Sequence, residues 1–249
     1  MKDTIREAFA AGRPMIGTWA AVGDGIAAEM LGRAGLDYVA LDGQHGGIDM
    51  RNLADTLRAI ELGGTQTIIR VPWCVEDQIM RVLDLGAGGV IVPMVSTAEE
   101  ARTAARAVHY PPLGIRSFGP VRNWYPAEGD TIDPLCFVMI ETAEAMVNLD
   151  AIASVEGVHG LFVGPVDLGL SSGWGLTFEM SENVFAAVDQ VVEACEKHGL
   201  IPGCAALSPT NARELVERGM KFVPVGSDVA FIRQGAGEVA ALAKELGRG

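Results

Sequence analysis

Two acidic residues and an arginine follow hydrophobic runs of the chain, at points where they could act together. Glu141 ends the run CFVMIE at 136–141, and Asp167 comes shortly after the run HGLFVG at 159–164. Two carboxylates with no nearby cysteine make a hard oxygen site that suits Mg²⁺, Mn²⁺ or Co²⁺. Such a cation would polarise a chelating 2-keto acid and stabilise its enolate. Arg70, near the end of the run QTIIRV, would add a fixed positive charge on the developing oxyanion.

Further residues could move protons and bind the carboxylate of the keto acid. His45 follows the run that ends at Asp42, and we expect Asp42 or Asp84 to orient its ring. Backbone N–H groups of a short Gly-Pro turn could bind the carboxylate. Each residue also has an ordinary structural role open to it, such as capping a turn or pairing with a charge. The residues of that turn are Gly164, Pro165, Val166 and Asp167.

The four lysines argue against an enzyme that forms an imine with its substrate. Lys2 is terminal, Lys197 and Lys244 lie in predicted helices, and Lys221 opens a predicted strand. A Schiff-base enzyme needs a desolvated lysine at its site, and none of the four is placed for that role. If the chain performs carbanion chemistry, a metal must therefore be the electron sink.

The elements that must position these residues are eight hydrophobic runs, which alternate with amphipathic segments. The runs are continuous rather than alternating, as expected for strands buried on both faces of a parallel sheet. Helical spacing of apolar residues predicts helices at 180–197 and 228–246. The pattern predicts one α/β domain, 1–249, folded as a (β/α)8 TIM barrel, with a doubly wound open sheet as the alternative. The predicted strands are 16–20, 37–42, 66–71, 88–93, 136–141, 159–164, 201–205 and 221–226.

A barrel of this kind carries its chemistry at the C-terminal ends of its strands. Asp42, Arg70, Glu141 and Asp167 all fall there, so we expect their side chains to converge at one end of the barrel. The long proline-rich stretch from 110 to 134 is predicted to be an active-site loop.

Composition excludes several classes of partner. Asp and Glu number 32 against 19 Lys and Arg, and the net charge of −13 argues against nucleic acid and against an anionic membrane surface. No apolar run is long enough to span a bilayer, and the N-terminus lacks the apolar stretch of a signal peptide. The four cysteines show no CxxC spacing and are typical of thiols in a reducing compartment, so a cytoplasmic location is expected.

Several motifs resemble, in order and spacing, those of the class II pyruvate aldolases, the HpcH/HpaI aldolase and citrate lyase family. The resemblance implies a barrel of the phosphoenolpyruvate/pyruvate-domain type that depends on a divalent metal. It also implies reversible cleavage of 4-hydroxy-2-keto acids, with pyruvate or hydroxypyruvate as donor and an aldehyde as acceptor. The matching motifs are DYVALDGQHG at 37–46, IIRVP at 68–72, GVIVPMVSTAEEA at 89–101, YPPLGIRS at 110–117, VMIETAEAMVNLD at 138–150 and GLFVGPVDLGLSSG at 160–173.

The resemblance also implies roles for particular residues. Glu141 and Asp167 match metal ligands, and Arg70 matches the residue that contacts the keto oxygen. His45 matches a residue that acts with an aspartate partner in proton transfer, and Trp19 matches one that lines the pocket. The family forms hexamers, as trimers of dimers whose C-terminal helices exchange between subunits, so a homo-oligomer is expected.

Two positions depart from the family pattern. Gln44 stands where the family usually has glutamate, and Met139 stands where it usually has glutamine. A thioether cannot donate a hydrogen bond, and our hypothesis is that the Gln44 side chain donates the one that Met139 cannot. Two other functions stay open: an acyl-CoA lyase of the citrate lyase and malyl-CoA branch, and a barrel that binds a keto acid without turnover. No basic cluster marks the path of a phosphorylated cofactor, although Arg116 and Arg122 lie in the long loop.

Overall fold

The eight apolar runs form parallel strands that close into a barrel in the computed structural model, which describes residues 5–119, 121–122, 134–176 and 179–247. Each strand pairs with the next along the chain, and β1 pairs with β8 through Met15 and Phe222 to close the ring. The strands are β1 (Met15–Ala20), β2 (Tyr38–Asp42), β3 (Gln66–Arg70), β4 (Gly89–Val92), β5 (Leu135–Ile140), β6 (Gly160–Val163), β7 (Ile201–Cys204) and β8 (Phe222–Ser227).

The amphipathic segments form helices that follow the strands. Several begin at a serine, threonine or aspartate whose side chain accepts a first-turn N–H group, as Thr97 does in a capping box with Glu100. The helices in the described residues are α1 (Ile5–Ala10), α2 (Gly25–Arg33), α3 (Leu53–Leu62), α4 (Glu76–Asp84), α5 (Ala98–Val108), α6 (Ala143–Val147), α7 (Leu149–Ala153), α8 (Pro165–Ser171), α9 (Glu182–His198), α10 (Pro209–Glu217) and α11 (Asp228–Glu245).

The closed ring confirms the predicted (β/α)8 barrel and excludes the open doubly wound sheet. The predicted strands lie within two residues of the observed ones at every boundary, because β-branched and aliphatic runs buried on both faces leave few alternatives. No helix in the described ranges is both long enough and apolar enough to cross a membrane.

Aromatic side chains fill the interior of the barrel. The Phe222 ring stacks on Tyr38 at 4.0 Å and on Phe137 at 4.7 Å between centroids. A Cβ atom at Gly17 would lie only 2.5 Å from the Tyr38 ring, so this close approach requires glycine. Residues of α1, including Ile5, pack on the same interior cluster. The interior is therefore a packed core, and space for a substrate is left at the C-terminal ends of the strands.

The described part of the segment from 110 to 134, namely 110–119, 121–122 and 134, does not lie where an active-site loop was predicted. It joins the end of α5 to the start of β5, at the N-terminal end of the barrel. Arg116 donates to Asp84 at 2.9 Å, and the backbone N–H of Arg122 lies 3.5 Å from the carbonyl oxygen of Asp84, the last residue of α4. Within one chain, the prediction of an active-site loop is therefore wrong for the described residues of this segment. Residues 120 and 123–133 lie outside the described residues.

Candidate active site

An ion pair at the ends of β2 and β3 forms one side of the site. Asp42 and Arg70 are register partners on these neighbouring strands. Arg70 donates through Nε to Asp42 Oδ1 at 3.1 Å and through Nη2 to Oδ2 at 2.8 Å. The bidentate geometry fixes the plane of the guanidinium group. Because both strands end here, the pairing of the sheet itself places this positive charge at the mouth of the barrel.

Asp42 is a structural acceptor that stays ionised. Its Oδ1 also accepts the backbone N–H groups of Gln44 and His45, each at 3.1 Å. Burial raises the pKa of this carboxyl, but the hydrogen bonds and charge of Arg70, together with the two N–H groups, outweigh burial and lower it. Asp42 therefore folds the loop that carries His45 and does not bond its ring.

Trp19 supports the same guanidinium group from β1. The Arg70 Cζ atom lies 4.8 Å from the centroid of the indole ring, which is the geometry of a cation–π contact. The indole meets the Phe162 ring edge-on at 6.0 Å. Trp19 was predicted to line the pocket, and the structure places its ring against Arg70, so the indole contributes to holding that residue in position.

Glu141 is buried at the end of β5 with only one of its oxygens bonded. Its Oε1 accepts the backbone N–H of Met94 at 2.7 Å. Met94 reaches this position with φ of 57°, a left-handed conformation that few residues other than glycine adopt. A Cβ atom at Gly164 would overlap Oε2, so glycine is required beside this oxygen. In the described part of the chain Oε2 accepts no hydrogen bond.

The charges around Glu141 suit a role for its carboxylate as a ligand of a cation. Burial and the negative charge of Asp167 raise the pKa of Glu141 to about 7, while the Met94 N–H group and Arg70 act in the opposite direction. Asp167 lies in the first turn of α8 and is exposed. Two neighbouring carboxylates that repel each other, one with a free oxygen, fit a divalent cation of the hard type. Among the described residues no third His, Cys, Asp or Glu completes a larger cluster, so such a cation would keep positions open for substrate.

Hydroxyl groups connect the loops that carry the two carboxylates. Ser96 Oγ and Thr142 Oγ1 form a hydrogen bond of 2.7 Å, which joins the loop after β4 to the residue after Glu141. Ser171, at the end of α8, accepts the backbone N–H of Ala143 at 3.0 Å. These contacts fix α8, and with it Asp167, relative to the end of β5. They were not predicted from the sequence, although Thr142 before a helix carries the signal of an N-cap.

A further buried carboxylate, Asp228, was also not predicted. It opens α11 and accepts the backbone N–H groups of Ala21 at 2.9 Å, Val22 at 3.1 Å and Val229 at 2.8 Å. The contact anchors the loop after β1 to the start of α11. Its sequence signal was an aspartate directly after the capping Ser227.

His45 and Asp84 do not meet within one chain. The His45 ring is exposed and makes no hydrogen bond within the described ranges, although its backbone is held by Asp42. Asp84 ends α4 and pairs with Arg116 at the opposite end of the barrel. Within one chain neither Asp42, which is bonded to Arg70, nor Asp84, which is paired with Arg116, bonds the His45 ring, and the prediction that one of them orients it stays a prediction.

The predicted carboxylate-binding turn starts a helix. Gly164 precedes α8, and Pro165 occupies its first position. The N–H groups of Val166 and Asp167 lie in the first turn, where a helix offers them no acceptor of its own. Met139 is buried in the barrel interior, and its Cε atom would lie 3.0 Å from a Cβ atom at Gly164. Within the part of the chain that the structure describes, Gln44 bonds through its backbone N–H group alone, so the hydrogen bond proposed for its side chain stays a hypothesis.

Comparisons with a family model, with known sequences and with solved structures point to the same family. A family model described as HpcH/HpaI aldolase/citrate lyase matches residues 15–234. The chain is 36% identical to a 4-hydroxy-2-oxo-heptane-1,7-dioate aldolase from Klebsiella pneumoniae, with 97% of this chain and 94% of the relative covered. A similar solved structure is an HpcH/HpaI aldolase from Desulfitobacterium hafniense, with TM-score 0.88, 26% identity and 97% of each chain covered. The citrate lyase beta subunit of M. tuberculosis, solved with oxaloacetate and magnesium, has TM-score 0.58 and 15% identity, covers 87% of this chain and 93% of its own, and shows a shared fold.

Proposed function

The chain belongs to the HpcH/HpaI aldolase/citrate lyase family, and from this membership and the site geometry we propose that it cleaves and forms 4-hydroxy-2-keto acids with a divalent cation. It is a carbon–carbon lyase of the aldolase type. The observation that carries the proposal is the pair Glu141 and Asp167, with a free Glu141 oxygen, at the same end of the barrel as the Arg70 guanidinium group.

Glu141 and Asp167 would hold the cation, and Mg²⁺, Mn²⁺ and Co²⁺ all suit their oxygen donors. When bound, such a cation withdraws charge from the keto group of the donor and so favours its enolate. Arg70 adds a second positive charge that Asp42 and Trp19 hold in one orientation, so little reorganisation is needed as the oxyanion develops. An imine mechanism gains no support, since none of the three lysines in the described residues, Lys197, Lys221 and Lys244, lies in a loop that follows a strand at the C-terminal end of the barrel.

We assign proton transfer at the acceptor oxygen to His45. Its loop is folded by Asp42, and its ring is free of intrachain bonds within the described ranges and open to solvent. The ring nitrogens of an imidazole can donate a proton in the aldol direction and take it back on cleavage. The first-turn N–H groups of Val166 and Asp167 would bind the carboxylate of pyruvate or hydroxypyruvate.

The acyl-CoA alternative loses its remaining support. Arg116 and Arg122 were the basic residues available for a phosphorylated cofactor, and both lie at the N-terminal end of the barrel. Arg116 is bonded to Asp84, and Arg122 is bonded to Glu61. Neither guanidinium group borders the candidate site within one chain.

The donor half of the reaction is tested by proton exchange at the methyl group of pyruvate in D₂O, followed by NMR. We expect exchange that requires added Mn²⁺ or Mg²⁺, stops with chelator and is abolished in Asp167→Asn. Asp150→Asn is the matched control, because Asp150 is exposed and pairs with Lys197 and His198 away from the site. Exchange that continues unchanged in chelator, or in the Asp167 variant, would contradict the proposed metal site.

We further propose that α11 joins two copies of the chain in a homo-oligomer. Apolar side chains of this helix are 41–69% exposed, and Asp228 is its one buried residue among those described. On α2, Ile26 and Met30 are 69% and 68% exposed. Apolar stripes of this extent on a soluble chain mark protein contacts, and exchange of α11 between neighbours would cover them. A hexamer built as a trimer of dimers is the expected state. The exposed apolar residues at the helix are Val229, Phe231, Ile232, Val239, Leu242 and Leu246.

Light scattering should give a mass of six chains for the native protein. Val239→Asp with Leu242→Asp should lower that mass, because both residues lie on the exposed stripe of α11. Gln234→Asp, on another side of the same helix, should leave the mass unchanged. A native protein that is monomeric at micromolar concentration would exclude the proposed contact. A cytoplasmic location also stays a proposal, supported by four cysteines that are all unpaired.

A further inference from the structure

The charges at the C-terminal end of the barrel are strongly one-sided. We define the barrel mouth as Asp42 and Arg70 with the described segments that follow the strands, namely 21–24, 43–52, 71–75, 93–97, 141–142, 164–176, 179–181, 205–208 and 227–228. These residues include seven carboxylates and two guanidinium groups, and no lysine. The carboxylates are those of Asp24, Asp42, Asp49, Glu141, Asp167, Glu179 and Asp228.

Both guanidinium groups of the barrel mouth are already paired. Arg70 gives two hydrogen bonds to Asp42. Arg51 donates from Nε and Nη2 to Asp49 Oδ2, at 2.9 and 2.5 Å, and its side chain is 90% exposed. A second anionic group on a substrate would therefore find no unpaired arginine or lysine among the described residues of the barrel mouth within one chain.

Binding of the donor does not reverse this balance. A divalent cation carries two positive charges, whereas Glu141, Asp167 and the carboxylate of a 2-keto acid together carry three negative ones. Arg70 is balanced by Asp42. The acceptor thus approaches an assembly with a net negative charge. At about 6 Å and an effective dielectric constant near 40, one unit of repulsion corresponds to roughly a tenfold change in an equilibrium or rate.

The long segment 110–134 adds no unpaired arginine or lysine among its described residues. It has two basic residues, Arg116 and Arg122, and the structure pairs them with Asp84 and Glu61. The same segment contains three acidic residues. The barrel mouth instead offers apolar surface, since Trp73, Leu170 and Trp174 are exposed in the segments after β3 and β6.

From this charge distribution we propose that the acceptor of the site is an aldehyde without a negative charge, so that the product carries its one carboxylate at the keto acid end. The proposal rests on the proposed aldolase function and names the substrate class of the same site. It separates this chain from an enzyme for substrates with a carboxylate at both ends. Apolar or hydroxylated aldehydes fit the exposed rings and the lack of an available cation.

The test compares two acceptors of equal length with pyruvate as donor and Mn²⁺ as cofactor. We expect kcat/KM for 4-oxobutanamide to exceed that for 4-oxobutanoate at least tenfold at low ionic strength. Added salt should narrow the difference, because screening weakens repulsion between exposed charges. Pyruvate exchange in D₂O, measured without acceptor, reports on the donor half alone.

A second test uses a variant in which an arginine loses its carboxylate partner. Asp49→Asn removes the partner of Arg51 at the barrel mouth. The ratio of kcat/KM for 4-oxobutanamide to kcat/KM for 4-oxobutanoate should therefore fall at least threefold. Asp55→Asn releases Arg58 on α3 in the same way and should leave the preference unchanged. Equal or faster use of 4-oxobutanoate while pyruvate exchange proceeds would overturn the acceptor proposal and leave the aldolase function standing, as would an Asp49 variant with unchanged preference. Absence of pyruvate exchange in the native protein would overturn both.

Discussion

Replacing Glu141 with glutamine is expected to abolish metal-dependent catalysis and, at the same time, to stabilise the metal-free protein above pH 7. Glutamine keeps a carbonyl oxygen that can accept the Met94 N–H group, so the local fold has no reason to change. It removes the charge that a cation requires. It also removes a carboxylate that is costly to ionise, because burial and Asp167 raise its pKa to about 7.

The sign of the pH dependence follows from that raised pKa. Below about 4.5, the ordinary pKa of glutamate, Glu141 is protonated in both the folded and the unfolded chain. Between 4.5 and about 7 the unfolded chain releases the proton first, so the folded state becomes less stable as the pH rises. Above about 7 the loss is complete, and it amounts to about 1–3 kcal/mol. Glutamine does not titrate, so its advantage should appear only as the pH rises through this window.

Thermal unfolding in the presence of chelator measures this effect. At pH 8 the Glu141→Gln protein should melt several degrees higher than the native one, given about 2–4 °C for each kcal/mol in a domain of this size. At pH 4.5 the two melting temperatures should converge. Glu144→Gln, at an exposed position on α6, is the matched control and should show no such difference. A Glu141 variant less stable than the native protein at pH 8 would contradict the assigned electrostatics, and one that still binds Mn²⁺ would contradict the ligand assignment.

The barrel could be predicted from the sequence because its strands carry a strong signal. Runs such as those that become β2 and β5 are apolar without alternation, and only a sheet covered on both faces buries them. Once the strands are placed, the barrel rule assigns Asp42, Arg70 and Glu141 to one end. The contact between Asp42 and Arg70 needed the register of β2 against β3, which hydrophobic patterning does not encode.

The incorrect prediction for segment 110–134 came from its length and composition, whereas its order in the chain decides at which end of the barrel it lies. The segment 110–134 was predicted to border the site because it is long and rich in proline. It follows α5 and precedes β5, and in a barrel of parallel strands that order places its described residues at the N-terminal end within one chain. Within one chain the same reasoning separates Asp84, at the end of α4, from His45, so their predicted pairing stays a prediction. The positive φ of Met94 could not be predicted, because it depends on a hydrogen bond to a residue 47 positions away.

Replacing Arg70 with alanine should lower the rate of aldol cleavage on the order of 100-fold or more, which is the usual effect of removing a donor to a developing oxyanion. Metal affinity should change little, since Arg70 is not a ligand. Arg70→Lys should lie between alanine and the native protein, because lysine keeps the charge but loses the bidentate geometry that Asp42 and Trp19 hold in place.

The alanine variant has a structural cost that must be separated from its catalytic one. Removing Arg70 leaves the buried Asp42 carboxylate without its partner, and breaking such a pair costs about 3–5 kcal/mol. Adding Asp42→Asn neutralises that charge while its carbonyl oxygen still accepts the N–H groups of Gln44 and His45. We therefore expect the double variant to recover thermal stability and to keep the full reduction in kcat. If kcat returned together with stability, Arg70 would act only by supporting the fold.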